Sequence, residues 1–256
     1  MNRIAKAFSN GCAFIPFIMG GDPDIETTEQ LLYALKDAGA DAIEIGIPFS
    51  DPVAEGPVIE AAAARALSQG CTVDQLFDLV ARVRGEIEIP ILFMTYFNPV
   101  FVYGVDRFVA RSVAVGLDGL IVPDLPFAER GELYGPCKAA GLELISLVAP
   151  TTGERTAEIA ANSGGFVYCV SSLGVTGARS TLDDSARRMV TAVRAVSDVP
   201  CAVGFGISMP EQAREVAQYA DGVIVGSALV RIAGEYGRDC AEPIYQFAKA
   251  IKEGIK

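Results

Sequence analysis

The chain has 256 residues, 51% of them hydrophobic, which suits one large domain with a sizeable buried core. Its formal net charge of -11 argues against nucleic acid and anionic membranes as general partners. The sequence contains no histidine, which excludes a Ser-His-Asp triad, a Cys-His dyad and every metal site that uses histidine.

No stretch reaches the roughly 18 uninterrupted apolar residues of a membrane span, so we expect no membrane association. The six cysteines are scattered and form no C-x-x-C pair. Several of them lie in apolar runs, where reduced, buried thiols are the usual outcome. The sequence therefore predicts a cytoplasmic protein.

Eight short apolar runs rich in β-branched residues recur along the chain, each followed by a polar or glycine-rich turn. They predict strands at Phe14–Met19, Ala42–Ile47, Ile91–Tyr96, Gly119–Val122, Glu143–Val148, Phe166–Val170, Ala202–Phe205 and Val223–Val225. Helical periodicity fills the intervals, and strict strand–helix alternation implies parallel pairing. We therefore expect residues 1–256 to form a single (β/α)8 TIM barrel.

An open, doubly wound sheet is the competing fold. Its first strand is normally followed by a G-x-G-x-x-G turn, whereas here the first strand ends in Gly20-Gly21-Asp22-Pro23. The barrel is therefore favoured, with a short helix-like segment over residues 2–9 covering one end. Long connections follow strands two (residues 48–72, with an extra alanine-rich helix) and six (residues 171–182), and they are candidate lids at the catalytic face.

Glu44 interrupts the β-branched run of the second strand. With a period of two residues, Ile43, Ile45 and Ile47 share one face, and Glu44 points the opposite way, into the space enclosed by the sheet. A carboxyl group buried among apolar residues tends to raise its pKa and hold a proton, as general acid–base chemistry requires. The alternative is a solvated glutamate on an edge strand.

Glycine-rich turns follow the late strands and suggest a phosphate site. They are Gly174–Gly177 after strand six, Gly204–Ser208 after strand seven, and Gly226-Ser227 opening a helix after strand eight. In barrels these loops frequently cradle phosphate, because glycine lets the backbone approach and a helix N-terminus offers free N–H groups. Around the predicted mouth lie the polar residues Asp51, Glu55, Tyr96, Asn98, Asp124 and Tyr168 and the apolar residues Phe17, Met94, Ile121 and Phe205.

At this point the motifs resemble a known family. Ile43–Pro57 is similar to the signature of the tryptophan synthase alpha chain. Further matching segments, in family order and spacing over essentially the whole chain, are Phe17–Pro23, Met94–Pro99, Gly119–Pro126, Gly174–Gly177, Gly204–Ser208 and Gly226-Ser227. The resemblance implies a lyase that cleaves indole-3-glycerol phosphate to indole and glyceraldehyde 3-phosphate by a cofactor-independent retro-aldol reaction.

The resemblance also assigns roles to individual residues. Glu44 is the implied main acid–base group, Glu55 the second catalytic carboxylate, and Tyr168 lies beside the reacting end of the substrate. The implied phosphate-binding residues are Gly177, Gly206, Gly226 and Ser227, and the implied pocket and loop residues are Phe17, Met94, Tyr96, Ile121, Thr176 and Phe205. At position 55 the family more often has Asp, and the extra methylene of Glu moves the carboxylate by about a bond length.

The family works as an α2β2 heterotetramer with a tryptophan synthase beta chain. Pyridoxal phosphate belongs to that partner, so the resemblance implies no cofactor and no metal on this chain. Two alternatives remain open from the sequence: a stand-alone indole-3-glycerol-phosphate lyase, and a regulatory partner whose catalysis has decayed. A sugar-phosphate isomerase would share the phosphate loops but not the Glu44 signature.

Overall fold

A computed structural model of the chain describes residues 2–170, 184–204 and 206–256. Its eight strands are Ala13–Met19 (β1), Ile43–Gly46 (β2), Ile91–Met94 (β3), Gly119–Ile121 (β4), Glu143–Val148 (β5), Val167–Val170 (β6), Cys201–Gly204 (β7) and Gly222–Val225 (β8). They pair in parallel and in chain order, and β8 pairs with β1 to close the barrel. The predicted (β/α)8 barrel is confirmed.

The described helices surround this barrel. They are Arg3–Ala7 (α1), Ile25–Asp37 (α2), Pro57–Ser68 (α3), Val73–Val83 (α4), Phe97–Tyr103 (α5), Val105–Val115 (α6), Gly131–Ala140 (α7), Arg155–Ala161 (α8), Ser185–Arg194 (α9), Pro210–Ala217 (α10), Ser227–Tyr236 (α11) and Ala241–Gly254 (α12). Among the described residues, none of these helices is long and apolar enough to cross a membrane.

The long connection after β2 contains the extra helix α3, as predicted, whereas the connection after β6 lies outside the described residues. The third strand ends at Met94 rather than at Tyr96, because helix α5 begins three residues later, at Phe97. The carboxylate of Asp124 accepts the N–H of Phe97 at 2.9 and 3.1 Å, which satisfies an amide of the first turn of α5. The Asp124 carboxylate is therefore engaged in capping the start of α5.

The period-two alternation divides the strand side chains between two cores. Ile43, Ile45 and Ile47 are buried in the large cluster between the sheet and the helices. A second cluster fills the barrel interior and includes Ile15, Leu92 and Ile145. These two cores are the layers expected of a barrel whose interior is filled by side chains rather than open as a pore.

Helix α1 covers the end of the barrel where the strands begin. Ile4 is buried in the interior cluster, and the ring of Phe8 lies 5.5 Å from that of Phe166. Arg3 pairs with Asp118, the residue that precedes β4, at 3.1 Å. With this end covered, the loops at the C-terminal ends of the strands form the accessible mouth.

Aspartates one or two residues before three even-numbered strands tie neighbouring strands together. The carboxylates of Asp41, Asp118 and Asp221 accept the N–H groups of Phe14, Ile91 and Cys201 at 2.7, 3.0 and 2.8 Å. Each carboxylate also pairs with a basic side chain: Lys252, Arg84 and Arg194, respectively. Because each bond joins one strand to its neighbour, these aspartates help fix the register that places the site.

Candidate functional site

Glu44 lies on β2 with its side chain in the barrel interior, opposite Phe17 of β1 and Leu92 of β3 in the strand register. It is 0% exposed, and neither carboxyl oxygen has a hydrogen-bond partner among the described residues. Burial raises its pKa to about 8, because the charged form loses its hydration. Close to neutral pH, this carboxyl group can therefore hold or release a proton.

Tyr168 of β6 lies near both candidate catalytic carboxylates. Its pKa is raised well above the usual tyrosine value by burial, and further by the negative charges of Glu44 and Glu55. Its ring occupies space left by Gly204 of β7, where a β-carbon would lie 2.5 Å from the phenol oxygen. The fold thus places a neutral phenol beside two carboxyl groups that are eleven positions apart in the sequence.

Glu55 lies in the loop between β2 and α3, just before the helix cap Gly56. Its carboxylate accepts a hydrogen bond from the Tyr96 hydroxyl at 3.3 Å. Burial raises the pKa of Glu55, and the bond from Tyr96 partly opposes that rise. The same phenol oxygen accepts the N–H of Ala54 at 3.0 Å, and the Tyr96 ring lies 5.5 Å from that of Phe49. Tyr96 therefore contacts the loop at three residues, Phe49, Ala54 and Glu55.

Apolar side chains line the mouth beside these carboxyl groups. A small cavity is bordered by Phe17, Met94, Tyr96 and Glu55, all of which the sequence placed in the site. Met19 also lines it and was missed, although it lies on the same face of β1 as Phe17 by the period-two rule. Ile121 is fully buried at the end of β4 and belongs to the interior cluster with Met94 and Tyr168.

Two of the three predicted phosphate loops contain residues that the structure describes. Gly206 follows β7 with a φ of +83°, a conformation that favours glycine. Gly226 and Ser227 stand at the start of α11, immediately after β8, and β7 pairs with β8. The first-turn amides of such a helix have no intrahelical partners and can bind an anion. The predicted site residues Thr176, Gly177 and Phe205 lie outside the described residues.

The comparisons with known proteins decide the family. The family model described as tryptophan synthase alpha chain matches residues 4–256. A curated tryptophan synthase alpha chain from Citrifermentans bemidjiense is 46% identical over 262 residues, covering 100% of this chain and 98% of the relative. One from Picosynechococcus is 49% identical over 247 residues, covering 95% and 94%. The chain belongs to the tryptophan synthase alpha chain family.

Solved structures of this family have the same fold. The chain resembles a structure of Mycobacterium tuberculosis tryptophan synthase with a TM-score of 0.91 and 38% identity, covering 99% of this chain and 98% of that chain. It resembles a chain of the Pyrococcus furiosus tryptophan synthase α2β2 complex with a TM-score of 0.89 and 38% identity, covering 94% and 98%.

Membership in the tryptophan synthase alpha chain family confirms the reaction class that the sequence motifs implied. The chain is a carbon–carbon lyase of tryptophan biosynthesis, acting on indole-3-glycerol phosphate. The phosphate loops alone were compatible with a sugar-phosphate isomerase. Full-length family agreement, including the Glu44 segment, excludes that alternative.

Proposed function

We propose that this chain carries out the retro-aldol cleavage of indole-3-glycerol phosphate with Glu44 as its principal acid–base group. The observation that carries the proposal is the Glu44 carboxyl group, which is fully buried in the barrel interior, has no hydrogen-bond partner among the described residues and has a pKa raised to about 8. Such a group is protonated in much of the free enzyme at neutral pH and is ready to donate.

Cleavage requires one proton to arrive and one to leave. The Glu44 carboxyl group donates its proton to the ring carbon that bears the glycerol chain, which makes the indole ring cationic. The resulting carboxylate takes the proton from the adjacent glycerol hydroxyl. The carbon–carbon bond then breaks, its electron pair returns to the ring, and indole and glyceraldehyde 3-phosphate are formed. Glu44 ends the cycle protonated, so the step needs no cofactor.

Glu55 and Tyr168 act around the indole ring, on which positive charge develops. Glu55 accepts the indole N–H through its carboxylate, and its negative charge stabilises the cationic intermediate. Support comes from its half-buried position beside Phe17 and Met94 in one cavity. Tyr168, whose buried phenol feels the charges of both carboxyl groups, lies at the reacting end of the substrate.

The two ends of the substrate have separate binding regions in this proposal. The phosphate binds to backbone N–H groups at Gly206, Gly226 and Ser227, together with Gly177, and needs no lysine. The indole ring packs among apolar side chains, of which Phe17, Met94 and Ile121 are described. Thr176, Tyr96 and Phe205 complete the proposed set of pocket and loop residues.

A beta chain is the proposed partner, in an α2β2 heterotetramer like the complex named for the Pyrococcus furiosus structure. Support comes from three large apolar side chains at the mouth: Val53, Phe101 and Val102 are 79%, 64% and 76% exposed. Val53 lies in the loop after β2, and the other two lie on α5 after β3. Large apolar side chains exposed at the same end of the barrel are a feature of protein–protein interfaces.

Pyridoxal phosphate belongs to the beta partner in this proposal, and this chain uses no cofactor of its own. The proposed location is the cytoplasm, supported by six cysteines that are all free thiols.

The test is indole release from indole-3-glycerol phosphate by the purified chain, with and without a beta chain. Slow release alone and much faster release with the partner would support a synthase subunit. Equal rates in both would identify a stand-alone lyase and remove the partner from the proposal. Absence of indole in both would overturn the catalytic assignment.

A further inference from the structure

The loop that carries Glu55 is attached to the barrel through one phenol. Tyr96 is 5% exposed and stands between the end of β3 and the start of α5. Its hydroxyl accepts the N–H of Ala54 at 3.0 Å and donates to the Glu55 carboxylate at 3.3 Å. A single oxygen thus binds both the backbone and the carboxylate of the loop.

The ring of Tyr96 adds a second attachment. It lies 5.5 Å from the Phe49 ring with an interplanar angle of 36°, so the two ends of the segment from residue 49 to residue 55 meet the same side chain. Tyr96 lies in a two-residue connection between β3 and α5, whereas Glu55 lies in the ten-residue loop between β2 and α3. The side chain anchored between the two regular elements can therefore determine where the loop carboxylate lies.

We infer that Tyr96 is a positioning residue for Glu55: its hydroxyl sets the orientation of the longer carboxylate that this chain has at position 55. The inference rests on the proposed catalytic role of Glu55 and extends it. Glu has one more rotatable bond than Asp, so a fixed hydrogen-bond donor is needed to hold its carboxylate in one orientation. Errors of about 1 Å in such placement can cost about 100-fold in rate.

The charged and titratable groups that face Glu55 are few among the described residues. Besides Tyr96, the carboxylate of Glu60 on α3 raises the pKa of Glu55 through its negative charge. On the barrel side, the Tyr168 phenol is close enough for its pKa to be raised by Glu55. Removing the Tyr96 hydroxyl removes the hydrogen bond that lowers the pKa of Glu55. The two effects that raise this pKa, burial and the charge of Glu60, stay in place.

The test is Tyr96→Phe, which keeps the ring and removes only the oxygen. We expect kcat for indole release to fall about 10-fold with KM changed less than about 3-fold, because the pocket wall is retained and the carboxylate is displaced. The acidic limb of the kcat/KM pH profile should move to higher pH. The matched control is Tyr103→Phe, whose hydroxyl donates to Asp74 at 2.6 Å, outside the site, and this variant should behave like the wild type.

A double-mutant cycle separates this inference from the proposed function. If Tyr96 acts through Glu55, Tyr96→Phe should cause little further loss in a Glu55→Ala background. Fully additive losses, or a wild-type kcat with an unmoved pH profile in Tyr96→Phe, would overturn the positioning role while leaving Glu55 as a catalytic group. Full activity of Glu55→Ala would instead overturn the proposed role of Glu55 itself, and the positioning role with it.

Discussion

The phenol of Tyr168 occupies the space that a side chain at Gly204 would need. A β-carbon at position 204 would lie 2.5 Å from the phenol oxygen and 2.8 Å from two ring carbons. Real β-carbons do not approach other heavy atoms this closely, so either the ring or β7 would have to move. The absence of a side chain at Gly204 on β7 thus leaves the space in which the phenol of Tyr168, a proposed catalytic residue on β6, lies.

Gly204→Ala should therefore impair catalysis by displacing Tyr168. We expect indole release to fall about 10- to 100-fold, because small displacements of groups at the reacting centre are costly. The effect should be much smaller in a Tyr168→Ala background, where the clash is absent. The control is Gly135→Ala in α7, where a β-carbon meets nothing within 4 Å and activity should be unchanged. Equal losses in both backgrounds would contradict the steric explanation.

Glu44→Gln should fold and lose nearly all cleavage activity. The amide keeps the size of the side chain but can neither donate nor accept the catalytic proton, and such groups typically contribute about 10²–10⁴-fold. Indole release measures the loss, and circular dichroism checks the fold. Glu143→Gln on β5 is the matched control, since Glu143 is a strand glutamate at the opposite end of the barrel. Activity within about 10-fold of the wild type in Glu44→Gln would remove the acid–base role.

Because Glu44 is buried, we also expect the free energy of unfolding to fall as the pH rises. Its pKa is raised to about 8 in the folded chain, against about 4.3 for an unfolded glutamate. Between these values the folded chain holds a proton that the unfolded chain has released, so this contribution to stability is lost as pH rises.

We expect Glu44→Gln to become progressively more stable than the wild type from about pH 5 to about pH 8, with the difference constant above that range. Urea unfolding at a series of pH values measures it. A difference between the two proteins that does not change with pH would show that Glu44 is not the buried titrating group.

Position 55 should require a carboxylate but tolerate a shorter one. Glu55→Asp is expected to keep or raise the rate of indole release, because it restores the residue that the family more often has. Glu55→Ala should lose about 10²–10³-fold in kcat and keep a measurable residual rate, because no charge then stabilises the cationic ring. The pair of variants is informative together: full activity of Glu55→Ala would exclude the residue from the mechanism whatever Glu55→Asp does.

Asp118 should be a major contributor to stability without any direct part in catalysis. It accepts the N–H of Ile91 at 3.0 Å and pairs with Arg84 at 3.3 Å, and both ion-pair side chains are largely buried. Asp118→Ala leaves the largely buried Arg84 guanidinium without a carboxylate partner and the Ile91 amide without its acceptor, for which we expect a loss of about 3–5 kcal/mol in the free energy of unfolding.

Asp37→Ala is the control for this loss. Asp37 pairs with Lys36 at 3.4 Å on the surface, and such pairs contribute about 0–1 kcal/mol. Denaturant unfolding of both variants gives the comparison. Similar small losses in the two would mean that the aspartate before β4 does not hold the strands together.

Much of the barrel could be predicted from local patterns in the sequence. Ile43, Ile45 and Ile47 alternate with Glu44, and this alternation alone assigns the isoleucines to the helix-facing core and the glutamate to the interior. The glycines that follow the late strands similarly mark where the predicted phosphate loops begin. These signals are readable because they depend on residues within a few positions of one another.

Contacts between distant segments were decided only by the tertiary structure. Tyr96 and Glu55 are 41 residues apart, and nothing in either segment indicates that the phenol donates to the carboxylate. Asp118 reaches the amide of Ile91 across 27 residues, and Asp124 binds that of Phe97 across the same separation. Asp124, a possible site residue from the sequence, caps a helix because the parallel pairing of β3 with β4 brings the C-terminal ends of these two strands together.

The sequence by itself therefore determined the family, the barrel and the set of proposed site residues, because these follow from strand and helix periods and from contiguous motifs. The tertiary structure decided the environment of those residues. Glu44 lacks a hydrogen-bond partner in the part of the chain that the structure describes, Tyr168 lies against Gly204, and Glu55 accepts a hydrogen bond from Tyr96. The physical reason is that desolvation and hydrogen bonding depend on which side chains surround a group in space, and barrel closure sets those neighbours.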